Sequence, residues 1–346
     1  MDPVFLEKTV EMLTDLNVEI KELIESGDLE IEDLAKNNII KYNTCYEDLL
    51  SYELFRYLVI INYDTAEVYF KKKIGRIYWE TNCLQKQPII TTISNSENYY
   101  WALPEFDIIA VPAGEDKNLL NLPDIYHEKG HLVYNQYEKY LKGDIEQSII
   151  RFYEKERQKV AAEQRNRKLP AFFHEKQDTW LSSWVMEFCC DFIATYLVGP
   201  AYAWTNLKIS TLSSREKKIY VDSIKHPSDE ARMRGICYML RQMGHDQETN
   251  EIEKNWNHFI KVTDNPQPPN YTYIFPQEII EELAGYAIEG CRAIDLRCYR
   301  DQIAQFGNPI SKILNDAWMK IFESPETFAS WEEERIEEIK QALPPN

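Results

Sequence analysis

His127-Glu128-Lys129-Gly130-His131 is the stretch on which the reading of this chain turns. Histidines at i and i+4 project from one face of an α-helix, so both imidazoles can reach a single Zn²⁺. Glu128 lies between them, placed to accept a proton from a water on that metal. The pattern requires a helix, and the flanking residues supply one. Pro123 suits a helix entrance and Asp124 an N-cap or first-turn position. Ile125, Leu132, Val133 and Tyr134 give apolar content, and Gly143 stops the run after Leu141. Gly130 costs about 1 kcal/mol against Ala in a helix interior, which makes sense where a second helix packs closely. The competing reading is a surface helix carrying two solvated histidines.

Outward from the pentapeptide, a zinc ion held by two histidines needs a third ligand, commonly a carboxylate. Glu187-Phe188-Cys189-Cys190-Asp191 offers one. It lies in a second expected helix, from a cap at Asp178 to Val198, stopped by Gly199-Pro200. Trp180, Leu181, Trp184, Val185, Met186, Phe188, Ile193 and Leu197 make this helix apolar almost all round, so it is expected to be buried. Two carboxylates in such a helix are costly unless paired or metal-bound. Glu187 and Asp191 share a face, with Glu187 as third ligand and Asp191 accepting the free ring N–H of a ligand histidine. The competing reading pairs both with Arg or Lys in a core salt bridge. Cys189 and Cys190 are excluded as ligands because adjacent helix positions point in different directions.

HExxH followed by ExxxD on a later helix resembles the gluzincin metallopeptidases. The resemblance implies His127, His131 and Glu187 as zinc ligands, Glu128 as general base and Asp191 as support for a ligand histidine. His226-Pro227-Ser228-Asp229-Glu230-Ala231-Arg232 is similar to the His-Pro…Arg segment of the CAAX-processing and HtpX-like branch. There the histidine stabilises the oxyanion and the arginine helps to hold the site, roles that fall on His226 and Arg232. The other reading of His226 is a helix-start histidine beside a proline. The resemblance spans residues 107–240. Members of that branch are membrane-embedded, whereas the longest apolar stretch here, near 180–204, is interrupted by Glu187 and Asp191. Only the catalytic core is therefore carried over, with no membrane partner expected.

The chain has 346 residues, 44% hydrophobic and 13% aromatic, which argues for a folded protein rather than a disordered one. A net charge of −18 repels phosphate backbones and argues against nucleic acid as a partner. Against that trend, Lys155 to Lys168 forms a basic stretch, read as a solvated helix face. Met1-Asp2-Pro3 leads into an acidic amphipathic segment without an apolar signal region, and the seven cysteines contain no CxxC pair. Reduced thiols and a cytoplasmic location are the expectation. No particular oligomeric state is implied.

Along the chain, Leu6, Val10, Leu13, Leu16, Ile20 and Leu23 predict an amino-terminal helix ending at Gly27, with further helices from Leu34 through Lys73. Arg76–Thr81, Pro88–Ser94 and Asp107–Val111 read as strands, with Ile108–Pro112 as the candidate edge strand for pairing an extended peptide. Residues 142–177 read as a helix plus loop flanking the cleft. Asp264 to Asn270 is the clearest linker, followed by helices near 276–305 and 308–322 and a terminal helix from Trp331 to Leu343. The expected fold is α+β and predominantly α-helical. It has a helical region over 1–74, a zincin-like core with a small sheet over 75–263, and a helical region over 271–346. The expected activity is zinc-dependent peptide hydrolysis on a protein or peptide substrate, of narrow specificity. The alternative is a non-catalytic zinc-binding helical module for protein interaction.

Overall fold

The computed structural model describes residues 3–25, 43–49, 68–83, 88–93, 100–112, 115–162, 169–213 and 219–341. These are predominantly helical with one small three-stranded sheet, so the broad α+β, mostly helical expectation holds. The chain divides into two compact units, Met1–Glu67 with Pro88–Ala113 and Val68–Gln87 with Gly114–Asn346.

In the first unit, helix α1 (Pro3–Glu25) opens at a proline whose fixed φ suits a first helical turn. Its buried positions are Phe5, Thr9 and Leu16, while Leu6, Val10 and Leu13 are exposed. The helix is as expected but its inward face is rotated toward Phe5, the largest apolar side chain at its start. Strands β1 (Ile89–Ile93), β2 (Trp101–Leu103) and β3 (Ile108–Pro112) form a mixed sheet in the order β1-β3-β2. Ile109 pairs in parallel with Ile90 and antiparallel with Ala102.

Ile108–Pro112 is thus the central strand, not an edge strand. Both of its hydrogen-bonding sides are taken, which removes it as a peptide-pairing edge. The sequence carries the physical reason. Ile108, Ile109, Ala110 and Val111 are all buried, the near-continuous apolar run of a strand covered on both faces. Ile108 and Ala110 share a small core with Phe5 and Phe106, and the Phe5 and Phe106 rings meet edge-on at 4.9 Å.

The second unit begins with α2 (Val68–Glu80), which takes in all but the last residue of the expected strand Arg76–Thr81. Buried Phe70, Ile74, Ile77 and Tyr78 follow helical spacing. The aromatic and β-branched content of the segment mimicked a strand while its period was helical. There follow α3 (Ile125–Leu141), α4 (Ile145–Ala162), α5 (Leu169–Thr179), α6 (Val185–Val198) and α7 (Pro200–Ser213). Beyond them come α8 (Asp229–Gln242), α9 (Asp246–Val262), α10 (Tyr271–Ile274) and α11 (Gln277–Ala293). The unit closes with α12 (Tyr299–Phe306), α13 (Ile310–Glu323) and α14 (Phe328–Gln341).

Helix α6 is the axis of this unit. Apart from Met186, every residue from Val185 to Val198 is buried, with α3, α8 and α11 packed around it. The helix does not begin at Asp178, which is exposed, its Oδ2 3.0 Å from His174 Nδ1. It runs back through a π-turn (Trp180–Trp184) into α5, opened near Pro170, so the Leu169-Pro170 pair is a helix start rather than loop. The π-turn points two indoles inward. Trp180 stacks on Phe188 at 5.1 Å and Trp184 lies 4.7 Å from Phe275. Their Nε1–H groups donate to the carbonyls of Ile274 and Ser223 at 2.8 and 2.9 Å, so neither buried donor is left unpaired. The helix Pro170–Val198 is long and apolar enough to cross a membrane, and 78% of its apolar window is buried inside the protein. Of the basic stretch Lys155 to Lys168, residues 163–168 lie outside the described residues; Lys155 and Lys159 on α4 are exposed.

Candidate metal centre

A 3₁₀ turn, Leu122–Asp124, leads into α3, and Asp124 makes no side-chain capping bond. The entrance is therefore set by Pro123 and the tight turn, not by an aspartate cap. His127 and His131 then face α6, where Glu187 lies. Their imidazoles meet edge-on with centroids 4.9 Å apart. One ligand atom from each of His127, His131 and Glu187 lies within 4.8 Å of the other two. The carboxylate spans both rings: Oε2 is 3.5 Å from His127 Nε2, and Oε1 is 3.6 Å from His131 Nε2.

Gly130 makes this approach possible. A Cβ at that position would stand 2.8 Å from Cys190 Cα and 3.0 Å from Cys190 O. Cys190 falls between Glu187 and Asp191, so the absent side chain of Gly130 sets how deeply the carboxylate-bearing stretch of α6 nests on α3. The expected close packing of a second helix at Gly130 is what the structure shows.

Asp191 is fully buried. Its Oδ1 accepts from His127 Nδ1 at 2.9 Å, and Arg232 on α8 donates to it through Nε (to Oδ2, 2.8 Å) and Nη2 (to Oδ1, 2.6 Å). The core salt bridge considered as a competing reading exists for Asp191, which holds both the arginine and the histidine. An ionised carboxylate can only accept, so the His127 proton on this side is fixed on Nδ1 and Nε2 faces Glu187. Tyr202, on α7, completes the cluster and escaped the sequence reading. Its hydroxyl donates to Asp191 Oδ1 at 2.5 Å and lies 3.3 Å from His127 Nδ1. The one signal available was a tyrosine in the apolar stretch after Gly199-Pro200, whose hydroxyl needs a partner once buried.

Burial on its own would raise the Glu187 carboxyl, but the His127 imidazole beside it and the charges of His131 and Arg232 bring it down to about 2. Burial likewise works to lower His127, and is outweighed by its bond to Asp191 and by the Glu187 carboxylate beside it, which raise it to about 10. His131 is lowered to about 4 by burial and by the charge on His127. Asp191 is held well below the carboxylate range, the Arg232 guanidinium overriding its desolvation.

The donor set fits a cation. Glu187 Oε2 is buried and makes no well-formed hydrogen bond, its imidazole neighbour standing at 3.5 Å. A buried carboxylate oxygen without a close partner, on a carboxylate that spans two imidazole nitrogens, is what a metal ion would satisfy. His127, His131 and Glu187 could hold a metal ion in this arrangement.

Glu128 is buried at 7% exposure, and among the described residues no hydrogen bond engages its carboxylate. Burial, above all, pushes it up to about 8, with the charge on His127 opposing. His226 lies on an exposed turn ahead of α8, where Ser223 Oγ accepts its backbone N–H at 2.9 Å. Its ring makes no hydrogen bond to the cluster, though the charges of Glu187, Arg232 and His127 act on it. Ser228 caps α8, its side chain accepting from Ala231 N, so His226-Pro227 is also a helix entry. The structure therefore gathers His127, His131, Glu187, Asp191 and Arg232, with Glu128 beside them and His226 at the margin.

Compared with family models, curated proteins and solved structures, the chain matches none.

Proposed function

We propose that this chain is a zinc-dependent metallopeptidase of the gluzincin kind, cleaving peptide bonds in a protein or peptide substrate. The observation that carries the reading is the placing of Glu128. It is a buried carboxylate with no hydrogen-bond partner among the described residues, on the same helical turn as two histidines that converge with Glu187. A site built only to hold metal has no use for a free carboxylate there, and purely structural zinc sites are generally closed by cysteines.

His127, His131 and Glu187 would hold the ion. Zinc, when bound, supplies Lewis acidity and brings the pKa of water toward neutrality. The Glu128 carboxylate takes the proton of the attacking water and passes it to the leaving amine nitrogen. Asp191 and Arg232 keep the His127 ring oriented throughout. His226, at the entry to α8, donates to the oxygen of the scissile carbonyl as charge develops on it.

The test is zinc content by elemental analysis, followed by cleavage of a diverse peptide library by the wild-type chain and by Glu128→Gln. About one zinc per chain in both, with cleavage products from the wild type and a loss of roughly 10²–10⁴-fold in the variant, is the expected result. Full hydrolysis by Glu128→Gln would remove the mechanism. Zinc without hydrolysis in the wild type would leave the non-catalytic zinc-binding interaction module.

A further inference from the structure

We infer that Tyr202 is a positioning residue of the metal centre: with Arg232 it saturates Asp191, and so locks the His127 imidazole with Nε2 presented to the cation. The inference deepens the metal-site reading above and rests on it.

Three elements converge on Asp191. Helix α3 brings the His127 ring, α8 brings the Arg232 guanidinium, and α7 brings the Tyr202 hydroxyl. The hydroxyl reaches all the others, as Arg232 Nη2 also does. It donates to Asp191 Oδ1 at 2.5 Å, stands 3.3 Å from His127 Nδ1, and accepts from Arg232 Nη2 at 3.5 Å. The phenol plane lies within 7° of the imidazole plane, at a centroid separation of 6.4 Å. Both residues are buried, Tyr202 completely.

The consequence follows from counting acceptors. Asp191 Oδ1 takes donors from His127, Tyr202 and Arg232, while Oδ2 takes one from Arg232. Removing the tyrosine hydroxyl leaves Oδ1 held by His127 and Arg232 alone, from opposite partners with different geometric demands. The carboxylate is then free to pivot toward the bidentate arginine, the stronger pairing, and to lengthen its bond to His127. Imidazole orientation and ligand strength both depend on that bond. A role confined to packing is the contrasting case, and Tyr202→Phe separates the two because it keeps the ring and deletes one oxygen.

The experiment uses the full chain and two variants. Tyr153→Phe is the control: Tyr153 is also buried, and its hydroxyl donates to the carbonyls of Tyr273 and Ile274 at 3.1 Å, away from the cluster. Zinc affinity is measured by competition with a chelating indicator. In parallel, the His127 ring resonances are followed by ¹⁵N NMR in the metal-free protein. Tyr202→Phe is expected to weaken zinc binding by about 10–100-fold and to shift the His127 Nδ1–H signal, while Tyr153→Phe does neither. Zinc affinity in Tyr202→Phe equal to that of Tyr153→Phe, or an unmoved His127 resonance, overturns the inference while leaving the metal site standing. A wild-type chain that takes up no zinc overturns the metal-site reading, and the metal-free NMR comparison then still decides whether Tyr202 positions His127.

Discussion

Two buried polar clusters lie on opposite faces of α3, and they treat charge differently. On one face, His127 and His131 meet Glu187, Asp191, Arg232 and Tyr202. On the other, Lys129 is 1% exposed, donates from Nζ to Thr81 Oγ1, and sits 4.4 Å from the Tyr78 ring centroid and 5.6 Å from that of Tyr126. Lys129 meets a hydroxyl and two aromatic faces, all supplied by the chain. The histidine cluster leaves Glu187 Oε2 buried without a hydrogen-bond partner among the described residues. The Tyr126 hydroxyl beside Lys129 is also buried without a hydrogen-bond partner, so what separates the two clusters is that the histidine face brings one carboxylate and two imidazoles within 4.8 Å of one another.

The sharpest way to break this contrast is to open the closed part of the histidine cluster. Asp191→Asn removes the charge that balances Arg232, and should cost about 3–5 kcal/mol in metal-free stability, read by urea unfolding in the presence of chelator. A loss below about 1 kcal/mol would mean that the network contributes no more than a surface pair.

The Lys129 cluster has a pH signature. Burial first lowers the Lys129 pKa to about 8, against the countering influence of Cys83 and Glu80. Its unfolded value is near 10.4, so between about pH 8 and 10.4 the unfolded chain binds a proton that the folded chain does not. Stability from this group therefore rises with pH across that window. Relative to Lys129→Met, the wild type should gain on the order of 3 kcal/mol from pH 7.5 to pH 10.4, seen in paired denaturant titrations. Zinc affinity should stay within about twofold, because the substituted side chain points away from the ligands. An equal pH slope in both proteins would show that Lys129 does not carry the effect.

A smaller effect tests the seam between the helices. Gly130→Ala should destabilise by about 1–3 kcal/mol through its collision with Cys190, and should weaken zinc binding as Glu187 is pushed back. Gly285→Ala, whose Cβ would meet nothing within 4 Å, should instead stabilise α11 by up to about 1 kcal/mol. Thermal melts of the two variants moving in the same direction would contradict the steric account.

The parts of the site legible in the sequence are those fixed by helical period. The spacings of His127 to His131 and of Glu187 to Asp191 each place two groups on one face, and Gly130 announced the close approach between them. Arg232 was reached through resemblance alone. Tyr202 was invisible because its partner is 11 residues away across a helix break at Gly199, where no period connects the two. In the fold, helices were readable and strands less so. Arg76–Thr81 has strand composition on a helical period, and an apolar run such as Ile108–Val111 marks burial without saying which neighbours supply it. The start of the long helix was misplaced because Asp178 looks like a cap, while Pro170 and the π-turn connect it further back.

Helix α6 is surrounded along its length, and this has a kinetic consequence. Its amide protons have no route to solvent through a local opening of one flank, since α3, α8 and α11 must all move first. Hydrogen exchange over Glu187 to Val198 should therefore proceed only through the global unfolding event. Glu187 would then sit in the slowest-exchanging part of the chain, a fixed point on which the His127 and His131 side chains of α3 converge.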